Sequence, residues 1–375
     1  MTRDAGRPLV LHLQKVSGIS GSENHLLSLL PALRSRGWDV RLLMLHQHEP
    51  GAWDFARELE ARGVPLDAIP IARDVDAAGF ARVVRHLVRH RPTILHTHLV
   101  HADAYGQIAG ALLNVPVRVA TKHGFNEFRE GRLFALGDRL VAKFSHRQVS
   151  ISLGLADYLV ENEQFRLSDF DIIHYGLQPD GEPPEYEGPP RLVCVGRLIP
   201  IKGHIVLLQA IKSARERVPD LRLQVAGRGV LESALKAYAT ELGVADAVDF
   251  VGHVSPPQQL IEGALAMVVP SLGEGFGMVA LEAMERGRPV IAAGIGGLTA
   301  VVRNGETGLL VPPADSEALA DAIVELVSNR ARAAQLGRAG RRRVLESFTI
   351  DRCVDRTEIL YRELLTRAGA GSPST

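Results

Sequence analysis

Two glutamates eight residues apart, Glu274 and Glu282, bracket the run Glu274-Gly275-Phe276-Gly277-Met278-Val279-Ala280-Leu281-Glu282. Glu274 falls in a glycine-rich loop. Glu282 falls about a turn and a half into the helix read over Met278–Arg286. Carboxylates so placed can accept paired hydrogen bonds from vicinal hydroxyls, as on sugar and ribose rings. The helix start near Gly277 offers N–H groups and a positive dipole end to phosphate. Upstream, the run Gly196-Arg197-Leu198-Ile199-Pro200-Ile201-Lys202-Gly203 sets two cations five residues apart on a glycine-flanked loop. An arginine fork and a lysine point charge together suit a diphosphate.

The first half of the chain carries softer signals. Ser17-Gly18-Ile19-Ser20-Gly21-Ser22-Glu23 stands between an apolar run and a helical pattern. Small residues there let a backbone approach a ligand at a helix start. The G-x-G-x-x-G pattern is absent and the second apolar run ends at His46, which argues against a nicotinamide dinucleotide site. His96-Thr97-His98, with His101 beyond, has the spacing of metal ligands. No cysteine or clustered acid completes a set, so a polar wall of a cleft is the expectation. Lys122-His123-Gly124 ends another apolar run, which suggests that His123 contacts substrate. Asp74-Val75-Asp76 and Asp169-Phe170-Asp171 form two Asp-x-Asp pairs. The first pair reads as helix-cap residues, and Asp169 leads into a strand. Neither is aimed at a phosphate, and no metal is expected.

These residues need elements to position them. Short apolar runs alternate with helical patterns along the chain. The expected strands are Leu9–Leu13, Asp39–Leu45, Thr93–His96, Val117–Thr121, Gln148–Ile151 and Asp171–His174. A second series is Arg191–Val195, Arg222–Ala226, Val248–Val251, Ala266–Val269 and Pro289–Ala293. The alternation implies an α/β chain with parallel sheets covered on both faces. Eleven strands exceed one small sheet. The proline-rich acidic stretch Leu177–Pro190 reads as a linker. The expected organisation is a domain over 1–176, a linker over 177–190 and a second domain over 191–346. A C-terminal helix over 347–368 is expected to pack back toward the first domain, with a disordered tail over 369–375. Ligands of such sheets bind at the carboxyl ends of the strands, where the glycine-rich loops and the His96, His98 and His123 segments fall.

Composition narrows the function classes. Of 375 residues 46% are hydrophobic, and 43 basic residues balance 43 acidic ones. A nucleic-acid binder relying on bulk positive charge is not expected. No apolar run approaches the length of a membrane span. The two cysteines, Cys194 and Cys353, form no motif, which suits a reducing cytoplasm. Residues 81–147 are locally basic, with 11 Lys+Arg against 4 Asp+Glu. Within Arg129–Arg147 the spacing puts Arg129, Arg132, Arg139, Lys143 and Arg147 on one helical face. Leu133, Phe134, Leu140, Val141 and Phe144 fall on the other. Such a segment suits an anionic membrane surface at the inner face or a lipid-linked acceptor. An ordinary helix packed on the sheet is the other reading.

Taken together these residues resemble the family 4 glycosyltransferases, whose GT-B architecture is two Rossmann-like doubly wound domains facing across a cleft. Glu274–Glu282 looks like that family's E-x7-E signature, followed by Gly287-Arg288-Pro289, Gly296-Gly297 and Gly308-Leu309-Leu310-Val311-Pro312. Gly196-Arg197 with Lys202-Gly203 looks like its phosphate loop, and Gly227-Arg228-Gly229 like a nucleotide-side element. The chain departs from the pattern at Ser20, where the family often has glycine, at Ala300 for a glutamate, and at Tyr175 for an asparagine.

The resemblance implies a retaining, metal-independent transferase acting on a nucleoside-diphosphate sugar, with a saccharide or lipid-linked acceptor and no cofactor. It further implies that Glu282 holds ribose. Glu274 and the Phe276-Gly277 backbone would hold the donor sugar, with Met278, Gly196, Gly227 and Arg228 lining the donor site. Arg197 and Lys202 would neutralise the leaving diphosphate, and His123 would touch the sugar. Gly18, Gly21 and His98 would form the acceptor-side loop. A sugar-nucleotide epimerase of the same fold and a non-catalytic nucleotide-sugar-binding protein remain alternatives.

Overall fold

The computed structural model describes residues 7–124, 132–163 and 165–369, the side chains of 132–134 excepted. Arg129 and the expected tail from residue 370 onward lie outside the described residues, as does the side chain of Arg132. The chain divides into two compact units. One holds residues up to Gln178 and from Ile350 onward, the other Pro179–Thr349.

The first unit contains β1 (Leu9–Lys15), α1 (Gly21–Ser35), β2 (Asp39–His46), α2 (Pro50–Ala61), β3 (Leu66–Pro70), α3 (Ala77–His90) and β4 (Ile94–His98). It continues through α4 (Leu99–Leu112), β5 (Val117–Lys122), α5 (Arg132–Ala142), β6 (Arg147–Ser150), α6 (Leu153–Glu163) and β7 (Phe170–Ile172). Its sheet has the order β3-β2-β1-β4-β5-β6-β7, and every described pairing is parallel. The strands read as apolar runs because both faces are covered. On one face Val10, Val40, Ile94, Val117 and Val119 pack with α1 and with the last helix of the chain, Ile350–Arg367. On the other, Leu11, Leu13, Leu43 and Leu95 pack with α3 and α4.

The second unit contains β8 (Arg191–Val195), α7 (His204–Arg217), β9 (Arg222–Ala226), α8 (Glu232–Glu241), β10 (Val248–Gly252), α9 (Gln258–Glu262) and β11 (Ala266–Val269). Then come α10 (Met278–Glu285), β12 (Val290–Ala293), α11 (Leu298–Val301), β13 (Gly308–Val311), α12 (Ser316–Ser328) and α13 (Arg330–Ser347). Its parallel sheet has the order β10-β9-β8-β11-β12-β13. In both sheets the order reverses beside the first strand, between β1 and β4 and between β8 and β11. These switch points are where such sheets bind ligands.

The sequence reading misses two strands, β3 and β13. Both are half-exposed edge strands, as are β7 and β10, but Asp67 and Pro70 interrupt the apolar pattern of β3 and Gly308 opens the short run of β13. The expected linker is also different in character. From Pro179 onward it is pinned to the second unit by arginines. Arg286 reaches Asp180 at 3.4 Å, Arg288 donates to the Pro184 carbonyl at 2.9 Å, and Arg338 reaches Glu185 at 3.3 Å. Tyr186 lies under the guanidinium groups of Arg288 and Arg330. Proline content signalled an irregular chain there, but not an unattached one.

Candidate active site

In the second unit two loops meet at the switch point. The first follows β8. Gly227 brings the turn after β9 against it: a Cβ at Gly227 would lie 1.8 Å from the Gly196 carbonyl oxygen. Its φ of +150° also favours glycine. The Leu198 N–H donates to the Arg228 carbonyl at 2.9 Å. His204, at the start of α7, is buried and held neutral by that burial, and its ring contacts the Arg197 carbonyl through Nε2 at 3.1 Å. The Arg197 backbone is thus fixed while its side chain is exposed. Among the described residues no acceptor reaches that guanidinium.

The second loop follows β11. Gly277 has φ +97° and precedes α10, which Met278 begins. The Glu274 carbonyl accepts from the Gly297 N–H at 2.8 Å, which closes the loop. The Phe276 side chain is buried against Phe348, so this residue offers only its backbone to a ligand. The Lys202 Nζ lies 2.5 Å from Glu274, and Ser271 lies 3.4 Å from the same carboxylate. These groups line a small cavity with Gly196 and Cys194. The Cys194 thiol is pushed up to about 12 by burial and is not a nucleophile. Glu282 is half-buried on α10. No donor reaches its carboxylate among the described residues, and burial raises its pKa to about 7. A larger concavity lined by Lys236, Asp249 and Phe250 lies along edge strand β10, away from both loops.

At the switch point of the first unit the polar groups turn toward one another. Residues at alternate positions of a strand share a face, so His12 on β1 sits with His96 and His98 on β4. All three are buried, which corrects the expectation of a polar cleft wall. His98 Nδ1 lies 2.8 Å from His123 Nε2, and His98 Nε2 lies 2.8 Å from His12 Nδ1. The Nδ1 of His123 bonds the Tyr175 hydroxyl. Both ring nitrogens of His123 are therefore engaged inside the unit. His25, on α1, stacks on Tyr175 with ring centroids 4.2 Å apart. Burial holds His12 and His25 down to about 3, and His96, His98 and His123 well below 6.5. His101 stands apart from this cluster, paired with Asp74 at 3.2 Å.

The glycine loop is also modified by its neighbours. A Cβ at Gly18 or Gly21 would meet open space, so packing does not demand glycine at either. The buried carboxylate of Glu23 turns back to the Ser20 N–H at 3.1 Å and bonds Gln14. The start of α1 already has its own anion. Both Asp-x-Asp pairs are occupied by structural contacts. Asp76 caps α3 by accepting from Ala78 N–H at 2.9 Å. Asp74 is not a cap: it pairs with Lys15 at 2.7 Å. Asp169 accepts from the Arg166 N–H, and Asp171 pairs with Arg147. Next to His123, buried Lys122 is held by Asp103 at 2.7 Å and Asp138 at 3.0 Å.

Comparison with known proteins decides the family. Residues 20–176 match the glycosyl transferase 4-like domain, and residues 180–343 match the glycosyl transferases group 1 family. The phosphatidyl-myo-inositol mannosyltransferase of Mycobacterium leprae is 30% identical over 321 residues, 82% of this chain and 84% of that one. The chain is a family 4 glycosyltransferase. A GDP-mannose-dependent alpha-(1-6)-phosphatidylinositol monomannoside mannosyltransferase of Mycobacterium tuberculosis is 37% identical over 171 residues, 43% of this chain. That match spans about half the length of the relative, 44%. Among solved structures, Anabaena HepE in complex with UDP and glucose superposes with a TM-score of 0.84 at 19% identity. It covers 95% of this chain and 100% of its own, and it supports the GT-B fold of the glycosyltransferase.

Sequence reasoning missed four residues around His123: His12, His25, Tyr175 as a contact, and Tyr361 on the last helix. A histidine inside the otherwise apolar strand Leu9–Leu13 was the available signal.

Proposed function

We propose that this glycosyltransferase is a retaining, metal-independent enzyme that moves a sugar from a nucleoside diphosphate to an acceptor hydroxyl. The observation that carries the reading is the loop pair at the β8–β11 switch point. Among the described residues it presents an unpartnered carboxylate at Glu282, an exposed guanidinium at Arg197, and an ammonium at Lys202 held by Glu274 alone. In this reading Glu282 accepts from the ribose hydroxyls. Arg197 and Lys202 hold the diphosphate, which competes with Glu274 for Lys202. Glu274 and the backbone at Phe276-Gly277 take the donor sugar. The bond from the anomeric carbon to phosphate oxygen breaks as the bond to the acceptor oxygen forms on the same face. The acceptor proton passes to the leaving phosphate. Preorganised cations beside the developing charge are the largest rate term expected.

The reading extends to a lipid-linked or saccharide acceptor and to peripheral attachment on an anionic membrane. No helix among the described residues is long and apolar enough to cross a membrane. Along α5 and the turn after it, Leu136 is 53% exposed, Leu140 50% and Phe144 41%. Arg139 and Lys143 are exposed beside them. The sequence reading expected the apolar side of this segment to be turned away from its cations. Exposed apolar side chains among cations instead suit an interfacial helix.

The test is a thermal-shift screen of UDP, GDP, ADP and their sugars with EDTA present throughout, followed by turnover with the best donor. One nucleotide at 100 times its dissociation constant should stabilise by about 2.7 kcal/mol. Loss of transfer under chelation, with recovery on added manganese, would remove metal independence. Binding without hydrolysis or transfer would leave a non-catalytic binding protein.

A further inference from the structure

Beyond the donor loops, the first unit contains a continuous file of hydrogen-bonded rings, of which only His123 and His98 were expected near substrate. It runs from Tyr175 to His123, His98, His12, Tyr361, His96 and Thr121. After the links already given, the Tyr361 hydroxyl lies 3.3 Å from His12 Nε2 and 2.6 Å from His96 Nδ1. His96 Nε2 then lies 2.6 Å from the Thr121 hydroxyl. Tyr361 is fully buried on the helix Ile350–Arg367.

A neutral imidazole has one N–H donor and one acceptor nitrogen. Burial keeps every ring of the file neutral. Successive histidines are joined Nε2 to Nδ1, so a proton placed on one ring fixes the next. The run from His123 through His98 to His12 therefore has two consistent states, all Nε2–H or all Nδ1–H. A mixed state sets two N–H groups, or two lone pairs, face to face. The lengths at Tyr361 choose between them. O–H donors make shorter bonds than N–H donors, so Tyr361 donates across 2.6 Å to His96 and accepts across 3.3 Å from His12. That polarity makes His12, His98 and His123 all Nε2–H, and leaves His123 Nδ1 to accept from Tyr175.

We propose that Tyr361, acting through His12 and His98, sets the tautomer of His123, making these three positioning residues for the donor-side histidine. Thr121, at the far end, is buried. The file has no outlet to water there and holds a proton pattern rather than conducting one. A metal ion is the competing occupant, because nitrogens of His12, His96 and His98 lie within 4.8 Å of one another. The rings of His12 and His98 are stacked at 10°, and their nitrogens face at 2.8 Å. Ligands bonded at about 2.0–2.1 Å around tetrahedral zinc stand farther apart than that. The spacing suits a shared proton.

The tautomer pattern does not depend on the proposed reaction, whereas its consequence for turnover rests on His123 lying at the donor sugar. The experiment is long-range proton–nitrogen NMR on the full chain with labelled histidine, for wild type and Tyr361→Phe. Wild type should show His12, His98 and His123 neutral and Nε2–H at pH 7.5. Loss of one hydrogen bond should shift the balance of states roughly tenfold in Tyr361→Phe, so that Nδ1–H signals rise at all three rings together. The donor KM should hold while kcat falls in proportion to the Nε2–H population, and thermal melting checks that the variant is folded. Independent tautomers in wild type, an unchanged His123 in folded Tyr361→Phe, or one zinc per chain bound by His12 and His98 would each overturn the coupling. A collective shift with unchanged kcat would uphold the coupling and remove His123 from the sugar.

Discussion

The two switch points are built from the same topology and furnished in opposite ways. At β1–β4 every ring nitrogen of His12, His96, His98 and His123 has a protein partner, and the rings of His12, His96 and His98 are buried while His123 is half-buried. At β8–β11 Glu282 has no partner among the described residues and Arg197 faces solvent. The two lysines at these strand ends repeat the contrast. Lys122 is shut in with two aspartates, and Lys202 is part-exposed beside one glutamate. A satisfied buried network rigidifies its surroundings, whereas an unsatisfied one is poised for something else to complete it. In the proposed reading the first region fixes geometry and the second receives a ligand.

Acid should break this contrast most strongly. His12 and His25 are held at about 3, and His96, His98 and His123 are lowered too, all by burial. A folded pKa below the unfolded 6.5 means stability that is present above pH 6.5 and lost as pH falls toward 3. Each such histidine is protonated more readily in the unfolded chain, so each weakens the first unit as pH falls below 6.5. The only two tryptophans of the chain, Trp38 and Trp53, lie in the first unit. Their fluorescence should report unfolding between about pH 6 and 5, while far-ultraviolet circular dichroism retains the second unit's share. Coincident transitions at lower pH would show that the histidine file does not weaken the first unit.

The next largest effect sharpens the open side. Arg197→Ala should leave folding intact, since the side chain is exposed and the loop is held by its backbone. Removing one preorganised group beside developing charge typically costs about 10²–10³ in kcat. Arg197→Lys should recover only part, because an ammonium lacks the planar fork. Single-turnover transfer at saturating donor is the measurement. A near wild-type rate in folded Arg197→Ala would take Arg197 out of the chemistry.

The same contrast explains what the sequence discloses. The loops after β8 and β11 were legible because they carry residue types out of place in a plain turn, Arg197, Lys202 and Glu274 among glycines. The interior strands were legible because burial on both faces leaves unbroken apolar runs. Of the half-exposed edges, β7 and β10 were legible, whereas β3, interrupted by Asp67 and Pro70, and β13, a four-residue run opened by Gly308, were not. The histidine file was least legible. Its members sit on β1, β4, β5, the loops after β5 and β7, and a helix whose Tyr361 is 186 residues beyond Tyr175. Only tertiary packing brings them together. Spacing made His96 and His98 look like a ligand pair, and it was silent on Tyr361.

The smallest of these effects tests whether the open carboxylate waits for a ribose. Ribose lies away from the bond that breaks, so its contacts should be alike in ground and transition states. Glu282→Ala should therefore raise the donor KM about 10- to 100-fold, the loss of one charge-assisted contact of about 1.5–3 kcal/mol, with kcat little changed. The pH response adds a second handle. Burial raises Glu282 to about 7, and its ionised form, with two full acceptor oxygens, holds hydroxyl donors more strongly than the protonated one. Nucleotide affinity should therefore fall about tenfold per unit as pH drops below 7. Stability has the opposite sign. A folded pKa above the unfolded one means that ionisation opposes folding, fully above about pH 7 and less as pH falls toward 4.5. Glu282→Gln should accordingly raise the melting temperature of the second unit more at pH 8 than at pH 6, over the range where acid weakens the first unit. Isothermal titration with UDP and GDP, alongside melting at both pH values, reads the two effects separately. An unchanged donor KM with a collapsed kcat would instead put Glu282 beside the reacting sugar. The open region would then be assigned to the wrong end of the donor.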